Sequence, residues 1–207
     1  VEVVRTLLEQ GADINKAKNS GGTPLSIASQ KGHVEVVRML LEQGAEINKA
    51  RNDGVTPLCI ASQKGHVDVV RMLLEQGADI NKAMDDGWTP LLMASQKGHV
   101  EVARLLIEAG ADIDKATDNG CTPLYVASDK GDVDVARLLI EAGADIDKAK
   151  DNGCTPLYVA SQQGHVDVAR LLIEAGADID KAKDDGRTPL YMASQQGHVD
   201  VARLLIE

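Results

Sequence analysis

The sequence predicts an all-α solenoid, in which short helix pairs stack in layers and β-hairpin-like arms connect them. Within each period, two glycines stand at fixed places and enclose an apolar stretch of helical length. The triplet Thr-Pro-Leu recurs every 33 residues, at 23–25, 56–58, 89–91, 122–124, 155–157 and 188–190. A fixed period of this length, without a slip over six copies, indicates a stacked repeat array rather than a globular domain.

The first predicted element of each repeat is a short helix, helix A, as residues 18–50 illustrate. Thr23 is a suitable N-cap because its side-chain oxygen can accept a hydrogen bond from the first helical turn. Pro24 then occupies the first helical position, where its missing N–H has no cost. Gly32 is predicted to end the helix, because glycine adopts a positive φ without strain.

The second element, helix B, follows with the sequence VEVVRMLLEQ and is predicted to end at Gly44. Apolar residues surround most of its circumference, which predicts burial on two sides. Glu35, Arg38 and Glu42 form the remaining polar stripe, and Glu35 and Arg38 are spaced to form an ion pair. The rest of the repeat, AEINKA with the Asn-Asp-Gly that follows, predicts an arm with a turn at its tip.

This unit of helix, turn, helix and arm resembles the ankyrin repeat. The resemblance rests on TPLxxAS, GHVEVV or GHVDVA, LLEQGADIN or LLIEAGADID and the Asp-Gly tip, and it covers the whole chain. One departure is consistent, since the family usually has His directly after Thr-Pro-Leu and this chain does not. The resemblance implies one solenoid over residues 1–207, made of a partial repeat 1–17, repeats 18–50, 51–83, 84–116, 117–149 and 150–182, and a truncated repeat 183–207.

The copies fall into two subtypes. Helix B contains V-V-R-M-L-L-E-Q in the earlier repeats and V-A-R-L-L-I-E-A from Val102 onward. Near-identity of this kind is typical of recent duplication or of deliberate design. In the loop after helix B, an asparagine in the earlier repeats is matched by an aspartate in the later ones: Asn15, Asn48 and Asn81 correspond to Asp114, Asp147 and Asp180.

The charge of the chain restricts the classes of partner. Its formal net charge is −10, so its surface repels phosphate, and nucleic acids and anionic membranes are not expected partners. Residues 1–103 contain 11 Lys and Arg against 13 Asp and Glu, whereas residues 104–207 contain 11 against 19. A basic protein partner would therefore be steered toward the C-terminal half, in a salt-dependent way.

Two patterns that suggest chemistry have simpler explanations. The five histidines all occupy the position after the helix A glycine, so they lie one repeat apart and cannot converge on a metal ion. We expect them to brace the loops, and we expect no metal, no cofactor and no catalytic residue. Cys121 and Cys154 are equivalents about 8–10 Å apart, too far for a disulfide. We therefore predict free thiols.

The compartment predicted from these features is intracellular and cytoplasmic. An odd number of cysteines, namely three, without the compact spacing of a disulfide framework is typical of a reducing environment. The sequence also contains no run long and apolar enough to be a membrane span.

Function is predicted where the copies differ, because caps, glycine stops and core residues explain the constant positions. In the ankyrin-like geometry, the residue before Thr-Pro-Leu faces the concave side at the base of the arm. The residue after the triplet shares a face of helix A with the residue four positions later. The predicted protein-binding residues are Val55, Trp88, Cys121, Cys154 and Arg187 at the arm bases, Leu92, Gln96, Tyr125, Asp129, Tyr158, Gln162 and Tyr191 on helix A, and Asp85, Asp86, Asp118, Asp151 and Asp184 at the tips.

The three tyrosines of this set allow two interpretations. Tyr125, Tyr158 and Tyr191 are expected to form a ladder with a spacing of about 8–10 Å, near Trp88. Aromatic residues of this kind are favoured anchors in interfaces, because they bury a large area with few rotatable bonds. Alternatively, they replace the histidine of the family and pack between neighbouring repeats.

The resemblance implies a non-enzymatic module that binds a protein, of which the charge favours a basic one, through the groove of arms and first helices. The alternative is a structural or self-assembling solenoid, including a designed or consensus-like scaffold. Val1 and Glu207 both align with positions inside helix B. We expect either a monomer that is a fragment of a longer array or head-to-tail self-association through ends without caps.

Overall fold

The computed structural model describes residues 2–207, and this described part contains 13 helices and no strand. Val1, expected inside a helix B, lies outside it. The helices in helix A positions are α2 (Pro24–Lys31), α4 (Pro57–Lys64), α6 (Pro90–Lys97), α8 (Pro123–Lys130), α10 (Pro156–Gln163) and α12 (Pro189–Gln196). Those in helix B positions are α1 (Glu2–Glu9), α3 (Val34–Glu42), α5 (Val67–Glu75), α7 (Val100–Glu108), α9 (Val133–Glu141), α11 (Val166–Glu174) and α13 (Val199–Ile206). The predicted all-α class is confirmed.

The chain divides into two compact units, one ending at Ala111 and the other spanning Asp112–Glu207. In the first unit α2 packs on α4 and α4 packs on α6, while α3, α5 and α7 follow the same order. In the second unit α8, α10 and α12 pack in sequence, and so do α9, α11 and α13. Within each unit, like helices therefore lie beside like helices, as the 33-residue period predicts. A single solenoid over residues 1–207 remains a prediction.

The ends of helix A follow from three residue types at fixed positions. Thr56 Oγ1 accepts a hydrogen bond of 3.1 Å from Cys59 N, and Pro57 is the first helical residue. At the other end, Gly65 has a φ of +72° and its N–H donates to the carbonyls of Ala61 and Ser62. These are the predicted N-cap, proline and glycine stop, so the boundaries of helix A are determined locally.

Helix B is held mainly by burial. In α3, Val37 and Leu40 are fully buried, whereas Glu35 and Arg38 are exposed and lie 3.7 Å apart as an ion pair. The helix ends at Glu42, and its last turn is closed by Gly44, whose φ is +83°. The predicted polar stripe is therefore confirmed for this helix, and its apolar residues supply the core between layers.

The arms are hairpin-like turns closed by backbone hydrogen bonds. In the second unit, Lys150 N donates to Cys154 O at 3.0 Å and Gly153 N donates to Lys150 O at 2.9 Å. Successive tips also touch, since Asp184 N donates to Asn152 O at 3.2 Å. A Cβ atom at Gly153 would lie 2.6 Å from Asp184 Oδ1. Glycine is therefore required at this tip both for its φ of +80° and for the close approach of the next arm.

The predicted role of the histidines as loop braces is confirmed. His66 Nε2 lies 3.0 Å from the carbonyl oxygen of Gln30, which belongs to the preceding repeat. His99, His165 and His198 make the same contact at 3.1 Å with the carbonyl oxygen 36 residues earlier. Each of these four histidines thus ties its loop to the end of the previous helix A within its unit.

Candidate functional site

The candidate site is the arm–helix A face, which we define as the residues before and after each Thr-Pro-Leu, the helix A position four residues further on, and the arm tips. The threonine cap sets its local geometry. Tyr125 N donates to Thr122 Oγ1 at 3.1 Å and Tyr191 N donates to Thr188 Oγ1 at 3.2 Å. The residue after the triplet is thereby held in the first turn of helix A in each repeat.

The predicted residues of this face differ widely in exposure. Tyr158 is 2% exposed, and Val55, Leu92 and Cys154 are also buried. These four side chains are therefore not accessible as surface anchors, and for Tyr158 the alternative interpretation, packing between neighbouring repeats, agrees with its burial. Half-buried residues are Trp88, Gln96, Cys121, Tyr125, Asp129, Gln162 and Arg187. Exposed residues are Asp85, Asp86, Asp118, Asp151, Asp184 and Tyr191.

Burial on this face has one physical cause that the sequence analysis missed: in two places, the residue that begins an arm covers the helix A residue 25 positions earlier. Met84 packs against a cluster that contains Cys59, and the Lys150 ammonium lies 5.2 Å from the centre of the Tyr125 ring. Both contacts join a helix A residue to the arm of the next repeat. The equivalent position in the other repeats holds Lys18, Arg51, Thr117 and Lys183. The variation of this position among the copies was the sign in the sequence that the burial of helix A residues would also vary.

In the second unit, the buried part of the face is an aromatic and sulfur cluster. Cys154, Tyr158 and Met192 form it, and the half-buried Tyr125 packs against it. Burial raises the pKa of both Tyr125 and Tyr158 above the usual range. Both phenols therefore stay protonated at neutral pH, and Tyr158 acts as a packing residue rather than as a surface anchor.

Charged groups at the last arm form a compact network. Asp185 Oδ2 lies 3.0 Å from Lys183 Nζ and 2.5 Å from Arg187 Nη2. Hydrogen bonds from Arg187 and Lys183 hold the pKa of Asp185 well below its usual range. In the preceding arm the equivalent of Asp185 is Asn152, which is neutral. The equivalent of Lys183 is Lys150, whose ammonium lies over the Tyr125 ring instead.

The first unit builds the same face from smaller and aliphatic side chains. Val55, Cys59 and Ile60 form a buried cluster with Met84 against it, and Cys59 Sγ donates to Lys82 O at 3.5 Å. Trp88 is half-buried at its arm base, where its carbonyl accepts a 2.9 Å hydrogen bond from Met84 N. Trp88 is therefore held by the closed arm and remains partly accessible.

The comparison with known families matches this architecture. A family model described as ankyrin repeats (3 copies) matches residues 1–84, 81–150 and 142–207, which together cover the chain. The chain belongs to the ankyrin repeat family. Ankyrin repeats are generally protein–protein interaction modules, and the family is typically non-enzymatic. A search of the curated proteins finds no match to this sequence.

The cysteines of this ankyrin repeat chain are free thiols, as predicted. Burial raises the pKa of the Cys59 and Cys154 thiols, which disfavours the reactive thiolate form. Within residues 2–207, no group of three or more His, Cys, Asp or Glu side chains is placed to hold a metal ion. Over the same residues, no helix is both long and apolar enough to span a bilayer.

Proposed function

We propose that this ankyrin repeat protein binds a partner protein through its arm–helix A face. The observation that carries the proposal is where the repeat copies differ in sequence. The copies are alike at the threonine caps and glycine stops, whereas they differ on this face. Trp88, Arg187 and Tyr191 are three of these differing residues and are at least partly exposed. Tryptophan, tyrosine and arginine are the residue types most enriched among binding hot spots.

The charge of the face favours a basic partner. The tip residues Asp85, Asp118, Asp151 and Asp184 are exposed, and the C-terminal half of the chain has a net charge of −8, with 11 basic against 19 acidic residues over residues 104–207. Exposed charges of one sign raise the association rate of an oppositely charged partner, and salt screens the effect. We therefore propose that the aromatic residues and Arg187 supply the binding affinity, and that the acidic tips raise the association rate of the partner.

The experiment that tests this function compares matched variants in affinity capture, followed by reconstitution with each purified captured protein. The face variant carries W88A and Y191A, and the control carries R137A and R170A in the exposed stripe of helix B. We expect the face variant to lose a partner that wild type and control both bind, with a loss of about 30-fold or more in affinity for a true hot spot. Equal binding by all three proteins contradicts the proposal.

A specific observation also supports a second function, self-association. On α13, Val199 and Ile206 are 65% and 72% exposed, and they line a groove of about 550 Å³. On α1, Val3 and Leu7 are also exposed. Clustered exposed apolar side chains mark contact surfaces. We propose a heterologous contact between the α13 and α1 surfaces of two copies, which need not close into a ring.

Sedimentation velocity over a range of protein concentrations tests this contact. We expect species that grow in size with concentration, and we expect the V199S/I206S variant to remain monomeric. A wild-type monomer at all concentrations excludes self-association while leaving the arm–helix A face unaffected. The same variant should retain partner binding, because its substitutions lie on helix B.

A further inference from the structure

A row of lysines lies at the end of helix A in the first unit. The helices α2, α4 and α6 end at Lys31, Lys64 and Lys97, and all three residues are exposed. Because α4 packs on both α2 and α6, these equivalent residues lie one layer apart, at intervals of about 8–10 Å. Lys64 has a neighbouring helix A on each side, so its exposure is a property of the stacked repeats. We call these three residues the lysine row.

The charges of the lysine row are not neutralised within the described part of the chain. None of the ion pairs described in residues 2–207 includes a lysine of the row, and the described hydrogen bonds of lysine side chains belong to other lysines. Of the three acidic residues that follow four positions later, two pair with an arginine instead. Glu35 pairs with Arg38 and Glu101 pairs with Arg104, each at 3.7 Å. The row therefore presents three ammonium groups to solvent.

The second unit lacks these charges although its repeats have the same fold. The equivalent residues are Lys130, Gln163 and Gln196. Lys130 is paired with Asp129 at 2.8 Å, and glutamine is neutral. A lysine in the last turn complements the helix dipole, but α10 and α12 end at glutamine and keep the same glycine stop. The fold therefore does not require the three positive charges of the first unit.

The backbone beneath the lysine row is held in register by the histidine braces. His66 Nε2 lies 3.0 Å from the carbonyl oxygen of Gln30, the residue before the first lysine of the row. His99 Nε2 lies 3.1 Å from the carbonyl oxygen of Gln63, the residue before the second. A Cβ atom at Gly32 would lie 2.8 Å from His66 Nδ1, so adjacent layers are in close contact at this edge. The spacing of the row is therefore fixed before a partner binds, which reduces the entropic cost of binding.

We propose that the lysine row binds an acidic segment of a partner protein, which adopts the polyproline II conformation and carries a carboxylate at every third residue. This conformation has three residues per turn and rises about 3.1 Å per residue. Residues i, i+3 and i+6 therefore lie on one side, about 9.3 Å apart, and this interval matches that of stacked helices. The row lies at the end of helix A away from the arms, so the proposal goes beyond the function proposed above and does not depend on it.

Other occupants match the row less well. On one face of an α-helix, side chains recur about 5–6 Å apart at i and i+4 and about 10.5 Å apart at i and i+7. On one face of a β-strand they recur about every 6.6 Å. These intervals are shorter or longer than the layer spacing. A nucleic acid is a long polyanion and would also meet the acidic residues around the row, since residues 1–103 contain 13 Asp and Glu against 11 Lys and Arg.

The test measures the fluorescence anisotropy of a fluorescein-labelled peptide of five Glu-Pro-Pro units at low ionic strength. The row variant carries K31Q, K64Q and K97Q, which introduce the residue found at this position in the last two repeats. The control variant removes the same charge from the loop after helix B, at the other end of the helices, and carries K16Q, K49Q and K82Q. We expect the row variant to bind about three- to tenfold more weakly than wild type. The control variant should bind as wild type does.

A second peptide tests the conformation of the occupant. A peptide of five Glu-Gly-Gly units has the same charge and the same sequence spacing, but it is flexible and does not favour polyproline II. We expect wild type to bind it about two- to fivefold more weakly than the Glu-Pro-Pro peptide, because ordering it has an additional entropic cost. An oligothymidylate of equal charge should bind more weakly than the Glu-Pro-Pro peptide.

Amide NMR spectra localise the binding. The amides of Gly32, Gly65 and Gly98 directly follow the lysines of the row and should shift when the Glu-Pro-Pro peptide is added to wild type. The amides of Gly44 and Gly77 lie just after helix B, at the other end of the helices, and should not shift. Thermal melts of wild type and both variants identify any loss of folding, which the glutamines of α10 and α12 make unexpected.

Five results would overturn the proposal. They are no binding of the Glu-Pro-Pro peptide to wild type, equal weakening by the row and control variants, equal affinity for the Glu-Gly-Gly peptide, tighter binding of the oligothymidylate, or amide shifts of equal size at both ends of the helices. The W88A/Y191A variant should bind the Glu-Pro-Pro peptide as wild type does. A failure of the lysine row is therefore distinguishable from a failure of the arm–helix A face.

Discussion

The two compact units build the same inter-repeat hydrogen bond from different side chains. In the first unit, Asn48 Oδ1 accepts from Asp79 N at 2.9 Å. In the second unit, the carboxylate of Asp147 takes this place and accepts from Asp178 N at 3.2 Å. The loop geometry requires an acceptor oxygen, and either an amide or a carboxylate supplies it. The comparison shows that the fold tolerates either group, although the carboxylate hydrogen bond is longer and the local charge changes.

Loops with an aspartate in place of the asparagine carry more negative charge. Asp145 Oδ1 accepts from Asp147 N at 3.0 Å, so two carboxylates lie close together in each such loop. The neighbouring lysine, Lys148, donates to the backbone carbonyl of Asp114 rather than to a carboxylate. In the first unit, by contrast, Lys49 pairs with the Glu46 carboxylate at 2.9 Å. The second unit therefore gains charge that can steer a partner, and like charges oppose one another in its loops.

The largest loss of stability is expected at Tyr158, the buried one of the three tyrosines that follow Thr-Pro-Leu. Tyr158 is 2% exposed and belongs to the aromatic cluster, so Y158A should lower the free energy of unfolding by about 3–5 kcal/mol. Y191A, on the exposed tyrosine, should change it by less than about 0.5 kcal/mol. Urea denaturation followed by circular dichroism measures both. Equal losses would mean that Tyr191 is also part of the core.

A smaller change in stability is expected at the loop position that holds Asn48 in the first unit and Asp147 in the second. D147N keeps an acceptor oxygen and removes a like charge, so it should stabilise the protein by about 0.5 kcal/mol at low salt. N48D should destabilise it by a similar amount. The melting temperature at two salt concentrations checks the prediction, because added salt should reduce both changes. Changes of the same sign would show that hydrogen-bond geometry, rather than charge, controls this position.

The charged network of the last arm predicts a dependence on pH. The pKa of Asp185 is lowered by hydrogen bonds from Arg187 and Lys183. Its stabilising contribution is therefore complete above the ordinary aspartate pKa of about 3.9 and is lost as the pH falls below that value. We expect the melting temperatures of wild type and D185N to differ at pH 7 and to converge at low pH.

The control for this prediction is D151N, because Asp151 is an exposed tip residue without an ion pair among those described. Its melting temperature should follow that of wild type at every pH. A constant difference between wild type and D185N down to pH 2 would contradict the assignment, since below the ordinary aspartate pKa the unfolded chain binds a proton that the native carboxylate does not, which lowers the stability of wild type.

The smallest change in stability is expected when the arm that contains Asn152 receives the aspartate of the last arm. N152D supplies a carboxylate where the last arm has Asp185, so the Lys150 ammonium should move from the Tyr125 ring toward it. The change in stability should be below about 0.5 kcal/mol, because both contacts are near the surface. The ε-methylene protons of Lys150 should move downfield as they leave the ring, and an unchanged NMR shift would contradict this account.

Much of the fold could be predicted because its determinants are local. Thr56, Pro57 and Gly65 specify the ends of helix A within ten residues of sequence, and the apolar surface of helix B specifies burial on two sides. The histidine braces could also be predicted, since a fixed position in each repeat implies a fixed role. The exposure of the candidate site could not be predicted from the sequence. The side chain that covers Tyr125, for example, lies 25 residues away on another arm.

The repeat, the positions of caps and turns, and the surface on which the copies vary could all be predicted from the sequence, since they depend on periodicity and on short-range backbone chemistry. Which of the varied residues are accessible depends on packing between repeats. Tyr158 is buried against Met192 and Tyr125 is only half-buried, although both follow Thr-Pro-Leu. Their difference arises because exposure depends on what the neighbouring repeat places over a residue, and neighbours in space are not neighbours in the chain.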